Sequence, residues 1–164
     1  MKRLALLAAA AATAIAVLAV LSTSGSAQSG ERTIVVTELS KGSLFKFVDQ
    51  RPRTKPGRNE PSASLGDQLV FSSPLGDGAH RRAGRLAAAC TAIKPGAIER
   101  KAVFLCTGVA HLTDGDLFLA ARFLPRPSGT VRGALTGGTG AYAGARGTFT
   151  STGEPSTDTF HILP

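Results

Sequence analysis

The chain has no tryptophan, one tyrosine and two cysteines in 164 residues. Each shortage removes a class of function. With aromatics at 5% there are few rings for bases to stack on. No recognised binding module accompanies the basic charge, so nucleic-acid binding is not expected. Two thiols allow one intramolecular bridge and leave no surplus for zinc, and the absence of a Cys-x-x-Cys pair argues against a redox centre. The histidines, His80, His111 and His161, form no His-x-x-x-His or His-Glu pair. His111 with Asp114 and Asp116 sits where a hard cation is conceivable. An ordinary pair of turn carboxylates is the preferred reading, and no metal is expected. The mature chain also lacks a Gly-Lys-Ser/Thr phosphate loop and a Gly-x-Ser-x-Gly nucleophile elbow. It holds no convincing amphipathic helical period either.

The first 27 residues read as an address. Lys2 and Arg3 precede a run, Leu4 to Leu21, that is apolar apart from Thr13. Ser22–Ala27 is small and polar, with Gly25 and Ala27 at the −3 and −1 positions of a cut after Ala27. The expectation is a signal peptide over 1–27 and a secreted or extracytoplasmic protein. The apolar run reaches the lower edge of a membrane span, so a retained anchor stays open as the alternative. Residues 28–164 then form one domain, with length for one core and not for two.

Loss of Lys2 and Arg3 takes the formal charge of +8 down by two, to +6. Much of it lies in Arg51-Pro52-Arg53-Thr54-Lys55-Pro56-Gly57-Arg58, a run punctuated by proline and glycine and read as an exposed loop. Weak contact with acidic envelope polymers is one use for it; a solvated loop is the plainer one.

Short β-branched or alternating runs fill the rest: Thr33–Leu39, Ser43–Val48, Gln68–Ser73, Arg85–Ile93, Lys101–Leu112, Asp116–Phe123, Thr130–Thr136, Gly147–Ser151 and Thr157–Leu163. The alanine-rich tracts at 87–89 and 120–121 have helical propensity, but Asp114-Gly115 joins two apolar runs as a hairpin turn would. Alternation puts Ala102, Phe104, Cys106, Gly108 and Ala110 on one face. Both faces of that run are largely apolar, which predicts cover on both sides. If Arg85–Ile93 and Lys101–Leu112 are antiparallel neighbours turning near residue 98, Cys90 faces Cys106. A structural disulfide is preferred and free thiols are the alternative. Eight or nine such strands suit an antiparallel barrel or a sandwich, and closure leaves no exposed edge. Small inward residues (Ala102, Gly108, Ala110, Ala121) would leave room for a ligand or for packed rings.

The densest feature is Leu135–Gly147, which holds five glycines and the single tyrosine, Tyr142. Gly138-x-Gly140-x-x-Ala143 nominally matches a dinucleotide fingerprint, but a strand follows where that motif needs a helix, so no cofactor is expected.

Read in order, Gly66-Asp67-Gln68-Leu69-Val70-Phe71-Ser72, Gly84-Arg85-Leu86 leading to Cys90, Asp114-Gly115-Asp116-Leu117, and above all Thr136-Gly137-Gly138-Thr139-Gly140-Ala141-Tyr142-x-Gly144-Ala145-x-Gly147 resemble the allene oxide cyclase and dirigent barrel superfamily. The resemblance covers about Thr33 to Leu163. It implies an all-β fold, an eight-stranded antiparallel barrel with a hydrophobic cavity, often oligomeric. It also implies cofactor-free steering of a reactive small molecule. The glycine stretch would be a tight strand-to-strand crossing at the wall, giving Gly137, Gly138, Gly140, Gly144 and Gly147 a structural role. Thr37-Glu38-Leu39-Ser40 matches the cyclase's Tyr-Glu-Leu-Asn, so Glu38 takes the place of the carboxylate that stabilises developing positive charge. Phe71 takes the place of an aromatic lining residue, Cys90 that of the cyclase's Gly-Leu-Cys thiol, and an aromatic falls near Phe123. Ser40 and Ser73 stand where the cyclase has two water-holding asparagines, and Ser43-Leu44 where it has serine-proline.

The candidate site is therefore Glu38 as the catalytic or electrostatic group, with Phe71, Ser73, Phe104, Phe123 and Tyr142 lining a cavity. From its neighbours Ile34, Val35, Val36 and Leu39, Glu38 faces either solvent or the cavity. Two readings of function follow. One is a barrel that binds a small hydrophobic molecule and steers a cyclisation or coupling, with a homo-oligomer in view. The other is a non-catalytic secreted or envelope interaction module that works through its basic loop.

Overall fold

The structure is a computed structural model that describes residues 30–50, 61–79, 81–126, 129–153 and 155–164. The expected leader 1–27, the basic run 51–58, His80 and Pro127 lie outside the described residues. Strands β1 (Arg32–Glu38), β2 (Leu44–Val48), β3 (Ser62–Ala63), β4 (Gln68–Gly76), β5 (Arg82–Lys94), β6 (Gly96–Ala97), β7 (Val103–Leu112), β8 (Gly115–Phe123), β9 (Val131–Gly138), β10 (Arg146–Thr152) and β11 (Thr157–Leu163) are joined by loops and one 3-10 turn, Gly140–Tyr142.

All strand pairs are antiparallel. The order β1-β11-β10-β9-β8-β7-β5-β4 closes when β4 returns to β1 through Thr37–Gly76 and Glu38–Leu75. Eight positions complete the cylinder, and its β1–β4 seam is held by these two residue pairs. β2 continues the line of β1. It pairs with the first half of β4, Leu44 opposite Ser72 through Val48 opposite Gln68. Between the two strands, residues 39–43 turn through Gly42, whose φ is +88°. β3 and β6 form a separate two-stranded pair.

The alanine tracts are strands, in β5 and β8, because each is held by a neighbour on both sides. Inward positions on β5 to β9 are small: Ala88 stands opposite Gly108, Cys90 opposite Cys106, and Ala121 opposite Gly133. β10 and β11 supply the bulk through Phe149 and Phe160, which face each other in register with ring centroids 6.4 Å apart. A Cβ on Gly133 would collide with the Phe149 ring. The lumen is therefore filled from one wall and hollowed from the other.

Cys90 and Cys106 are directly opposed and bonded, with S–S 2.01 Å. The outer face of β7 differs from the expectation. Leu105 is 52% exposed, and Thr107 and His111 are exposed too, whereas Val103 on the same face is buried, so cover on that side is partial. Its apolar character comes from β-branched and aliphatic residues that suit a pleated strand wherever they point.

The glycine stretch also differs. It does not cross the wall. It is the β9–β10 connection, folded over one barrel end onto the β7–β8 turn, where Thr139 N–H donates to the Asp116 carbonyl (2.9 Å) and Ala141 N–H to that of Asp114 (2.8 Å). Gly140 needs φ +58° there, and a Cβ would run into the Asp114 carbonyl. Gly147 (φ +146°) enters β10 so close to β11 that a Cβ would overlap the His161 carbonyl. Gly138 lies tightly under Tyr142, Gly144 takes φ +76° in open space, and Gly137 would meet the Phe118 ring at an ordinary 3.4 Å.

Candidate functional site

Opposite the glycine-capped end, β8 finishes at Phe123, β9 begins at Val131, β10 finishes beyond Ser151, β11 begins after Ser156 and β1 finishes at Glu38. Side chains from these strand ends and from β4, β5 and β7 surround a lumenal cavity of about 180 Å³. Its walls are Phe71, Phe123, Phe149 and Phe160, with Leu86, Leu119 and Val131; Ala88, Gly108, Ala121 and the disulfide make the space.

Two carboxyl groups enter this apolar setting. Glu38 lines the cavity, its backbone fixed by pairing with Leu75 and by an N–H donated to the Ser156 carbonyl at 2.8 Å. Asp158 lies on β11 opposite Val36 of β1 and Ser151 of β10. Because alternate residues share a face, Glu38 is the next inward residue after Val36 and so neighbours Asp158. Asp158 is 1% exposed, and neither carboxyl oxygen has a hydrogen-bond partner. Burial pushes its pKa up to about 7. The Ser151 hydroxyl opposes this without reaching hydrogen-bonding geometry, and the nearby negative charge of Glu38 adds to it. At neutral pH the group is an acid poised to give or take a proton.

The contrast with Asp67 shows what an ordinary buried aspartate looks like here. Asp67 is equally enclosed, yet Oδ1 accepts the Gln50 N–H and Oδ2 the Ser64 N–H, each at 2.7 Å. It shapes a turn. Asp158 shapes nothing, and a fully buried carboxyl without partners is costly to keep.

The expected site residues separate. Glu38, Phe71 and Phe123 converge on the cavity. Ser73 is buried on the face of β4 that carries Phe71 but does not reach the space. Phe104 is fully buried in a second cluster with Ala63, Leu69, Cys90, Ala92 and Ala102, stacked obliquely on Phe123 at 6.4 Å. It buttresses Phe123. Tyr142 plugs the far end of the barrel beneath the Arg32 guanidinium, which lies 5.1 Å from the ring centroid. Burial is the main cause raising its pKa, and Arg32 partly offsets it. Asp158, Phe149, Phe160 and Ser151 were not singled out in the sequence. A signal exists: in Thr157–Leu163, Asp158 is the one acid on a face otherwise made of Phe160 and Ile162.

The histidines lie elsewhere. His111 Nδ1 is 2.6 Å from Asp116 Oδ1, a contact that lowers the Asp116 pKa, and the Thr139 hydroxyl donates to Asp116 Oδ2 at 3.2 Å. Asp114 turns to Arg32 at 3.9 Å. Among the described residues no three His, Cys, Asp or Glu side chains group in a way that could hold a metal ion. Likewise, no described helix is long and apolar enough to cross a membrane.

No protein-family model matches the chain, and no curated protein matches it by sequence. Solved structures do match. A pyocyanin demethylase superposes with TM-score 0.60 at 23% identity, over 80% of this chain and 100% of that one. A pterocarpan synthase dirigent protein gives 0.53 at 18%, over 81% and 92%. An exo-specific intermolecular Diels-Alderase gives 0.54 at 13%, over 81% and 98%. At these identities the likeness speaks for architecture. The chain folds as an eight-stranded antiparallel barrel, the architecture it shares with these structures.

Proposed function

We propose that the protein binds a small hydrophobic or aromatic molecule in its lumen and steers a cyclisation or coupling of it without a cofactor. The observation that carries this is the pair of carboxyl groups, Glu38 and Asp158, in a lumen otherwise lined by phenylalanine, aliphatic and small residues. Confinement in a shaped, apolar space restricts the guest to few conformers and so lowers the entropic part of the barrier. Asp158, which titrates near neutral pH, takes up or releases a proton as charge develops on the guest. Glu38 stabilises positive charge on the opposite atoms. Barrels of the same fold named as a Diels-Alderase and a pterocarpan synthase support a ring-forming reading.

On this reading the protein works outside the cytoplasm, where a Cys90–Cys106 bridge persists. A homo-oligomer would cover the exposed apolar side chains of the outer face, among them Val70, Leu105 and Phe118.

The test is a screen of small aromatic compounds by calorimetry against the wild type, Ala121→Phe, which fills the lumen, and Glu38→Gln. Binding lost in Ala121→Phe, with cooperative unfolding retained, supports the reading; a product distribution changed by Glu38→Gln assigns that residue. Retention on an anionic polymer that disappears when Arg51, Arg53, Lys55 and Arg58 are neutralised, with no guest bound by any variant, would favour the interaction-module reading instead.

A further inference from the structure

The lumen has a sign. Among the described residues that line it, the ionisable groups are Glu38 and Asp158, both acids; no lysine, arginine or histidine reaches it. β1 contributes Glu38 to the surroundings of Asp158, β10 contributes Ser151 and Phe149, and the facing strands contribute Phe71, Leu86 and Val131, none of them basic. In a folded protein a buried carboxyl normally finds an N–H, a hydroxyl or a cation. Asp158 is 99% enclosed, faces the cavity and has none. The missing partner is a hydrogen-bond donor or a positive charge; both oxygens are themselves covered, and the cavity is the open space that borders the residue, beside Glu38.

The walls agree with that chemistry. Phe71, Phe123, Phe149 and Phe160 present ring surfaces to the same space, and the face of an aromatic ring attracts an organic cation, more strongly where water is excluded. Size sets a further limit. An apolar cavity of about 150 Å³ accepts benzene, so the 180 Å³ here suits one ring with a short substituent, or a bicycle with its second ring toward the mouth.

We propose that the lumen selects a small aromatic cation, a protonated or quaternary nitrogen heterocycle of one or two rings, whose charge pairs with Glu38 and Asp158 while its rings lie against the phenylalanines. The inference rests on the guest-binding reading above and narrows it to one ligand class. Pairing is favourable because the folded protein already bears the cost of desolvating Asp158; the ligand supplies the compensation, not the penalty. When the cation enters, the proton on Asp158 leaves to water, so that both carboxylates face one or more positive atoms. No bond other than that O–H changes. Proton release links affinity to pH: binding of a permanently charged ligand strengthens as pH rises from about 5 toward 7 and levels off above it, because Asp158 titrates near there and Glu38 is the charged group facing it.

N-methylquinolinium and 1-methylnaphthalene have the same shape and differ by one charge, and both fluoresce, so binding of each to the full chain can be read from its own emission at pH 8. The cation should bind roughly tenfold tighter or more than the hydrocarbon. That preference should shrink to about twofold or less in Asp158→Asn with Glu38→Gln, and by an intermediate amount in Glu38→Gln alone, the less buried and structurally milder change. Equal or tighter binding of the hydrocarbon would overturn the cation preference and leave guest binding standing. Failure of both probes to bind would remove guest binding and the preference together. A cation preference that survives in both variants would place its origin outside the carboxyl pair and refute the assignment.

Discussion

Replacing Asp158 with asparagine should stabilise the protein in neutral and mildly alkaline solution and change it little in acid. The sign follows from where the proton is held. In the unfolded chain the carboxyl titrates at its ordinary value of 3.8; in the barrel burial lifts it to about 7. Folded protein therefore binds the proton more tightly than unfolded protein across that interval, and stability falls as pH rises through it. Below the interval both states are protonated, and above it both are ionised, so the slope vanishes at either side. Each unit of displacement corresponds to about 1.4 kcal/mol, so three units give a ceiling of about 4 kcal/mol. Water entry and relaxation around the carboxylate reduce this, and a gain on the order of 2 to 4 kcal/mol at pH 8 is expected. An asparagine amide meets the same lack of partners as the neutral acid, so near pH 4 the two proteins should agree closely. Urea unfolding followed by far-ultraviolet circular dichroism, at fixed ionic strength from pH 4 to 8.5, gives the difference directly. Other titrating groups are common to both proteins and cancel. A difference that stays flat across this range, or a variant less stable than wild type at pH 8, would refute the buried, unpartnered carboxyl on which the site is built.

Glu38→Gln removes the negative charge that helps raise the Asp158 pKa, so the stability decline should move to lower pH, visible in the same titration. Converting Cys90 and Cys106 together to serine opens a loop with a sequence separation of 16 and should cost about 3 kcal/mol, measured by urea unfolding and matched by wild type under reductant. Gly147→Ala drives a side chain into the β11 backbone at a positive φ. It should cost roughly 2 kcal/mol or more in thermal or urea unfolding, whereas Gly137→Ala, in ordinary contact with Phe118, should be mild.

Strand positions were readable because β-branched alternation and turn residues act locally. Lys101–Leu112 and Gln68–Ser73 appear almost where they were expected, and the 90-to-106 register follows from one turn centre. Closure itself is a property of distant pairs, and the resemblance carried it, not periodicity. Phe104 and Phe123 show where local reading stops. The two stand opposite each other in register, yet Phe123 lines the cavity while Phe104 is enclosed by Ala63, Leu69, Ala92 and Ala102, contacts between distant segments that local reading does not supply. Tyr142 went to the opposite end for a related reason: the glycine connection folds over the rim, and its path is set by docking on Asp114 and Asp116. Asp158 is not legible locally, because one acid in a threonine-rich strand resembles any solvent-facing residue until the neighbouring strands place it.

The pairing of β1 with β11 ties Arg32 to Ile162 across nearly the whole described chain. A nascent polypeptide cannot complete its ring until the final strand has emerged, and until then it presents two unsatisfied borders capable of recruiting other molecules. Closure of this barrel consequently waits for β11. Shortened products that stop before Thr157 should accumulate as aggregates, and a permuted chain that links the two ends and starts elsewhere should still assemble.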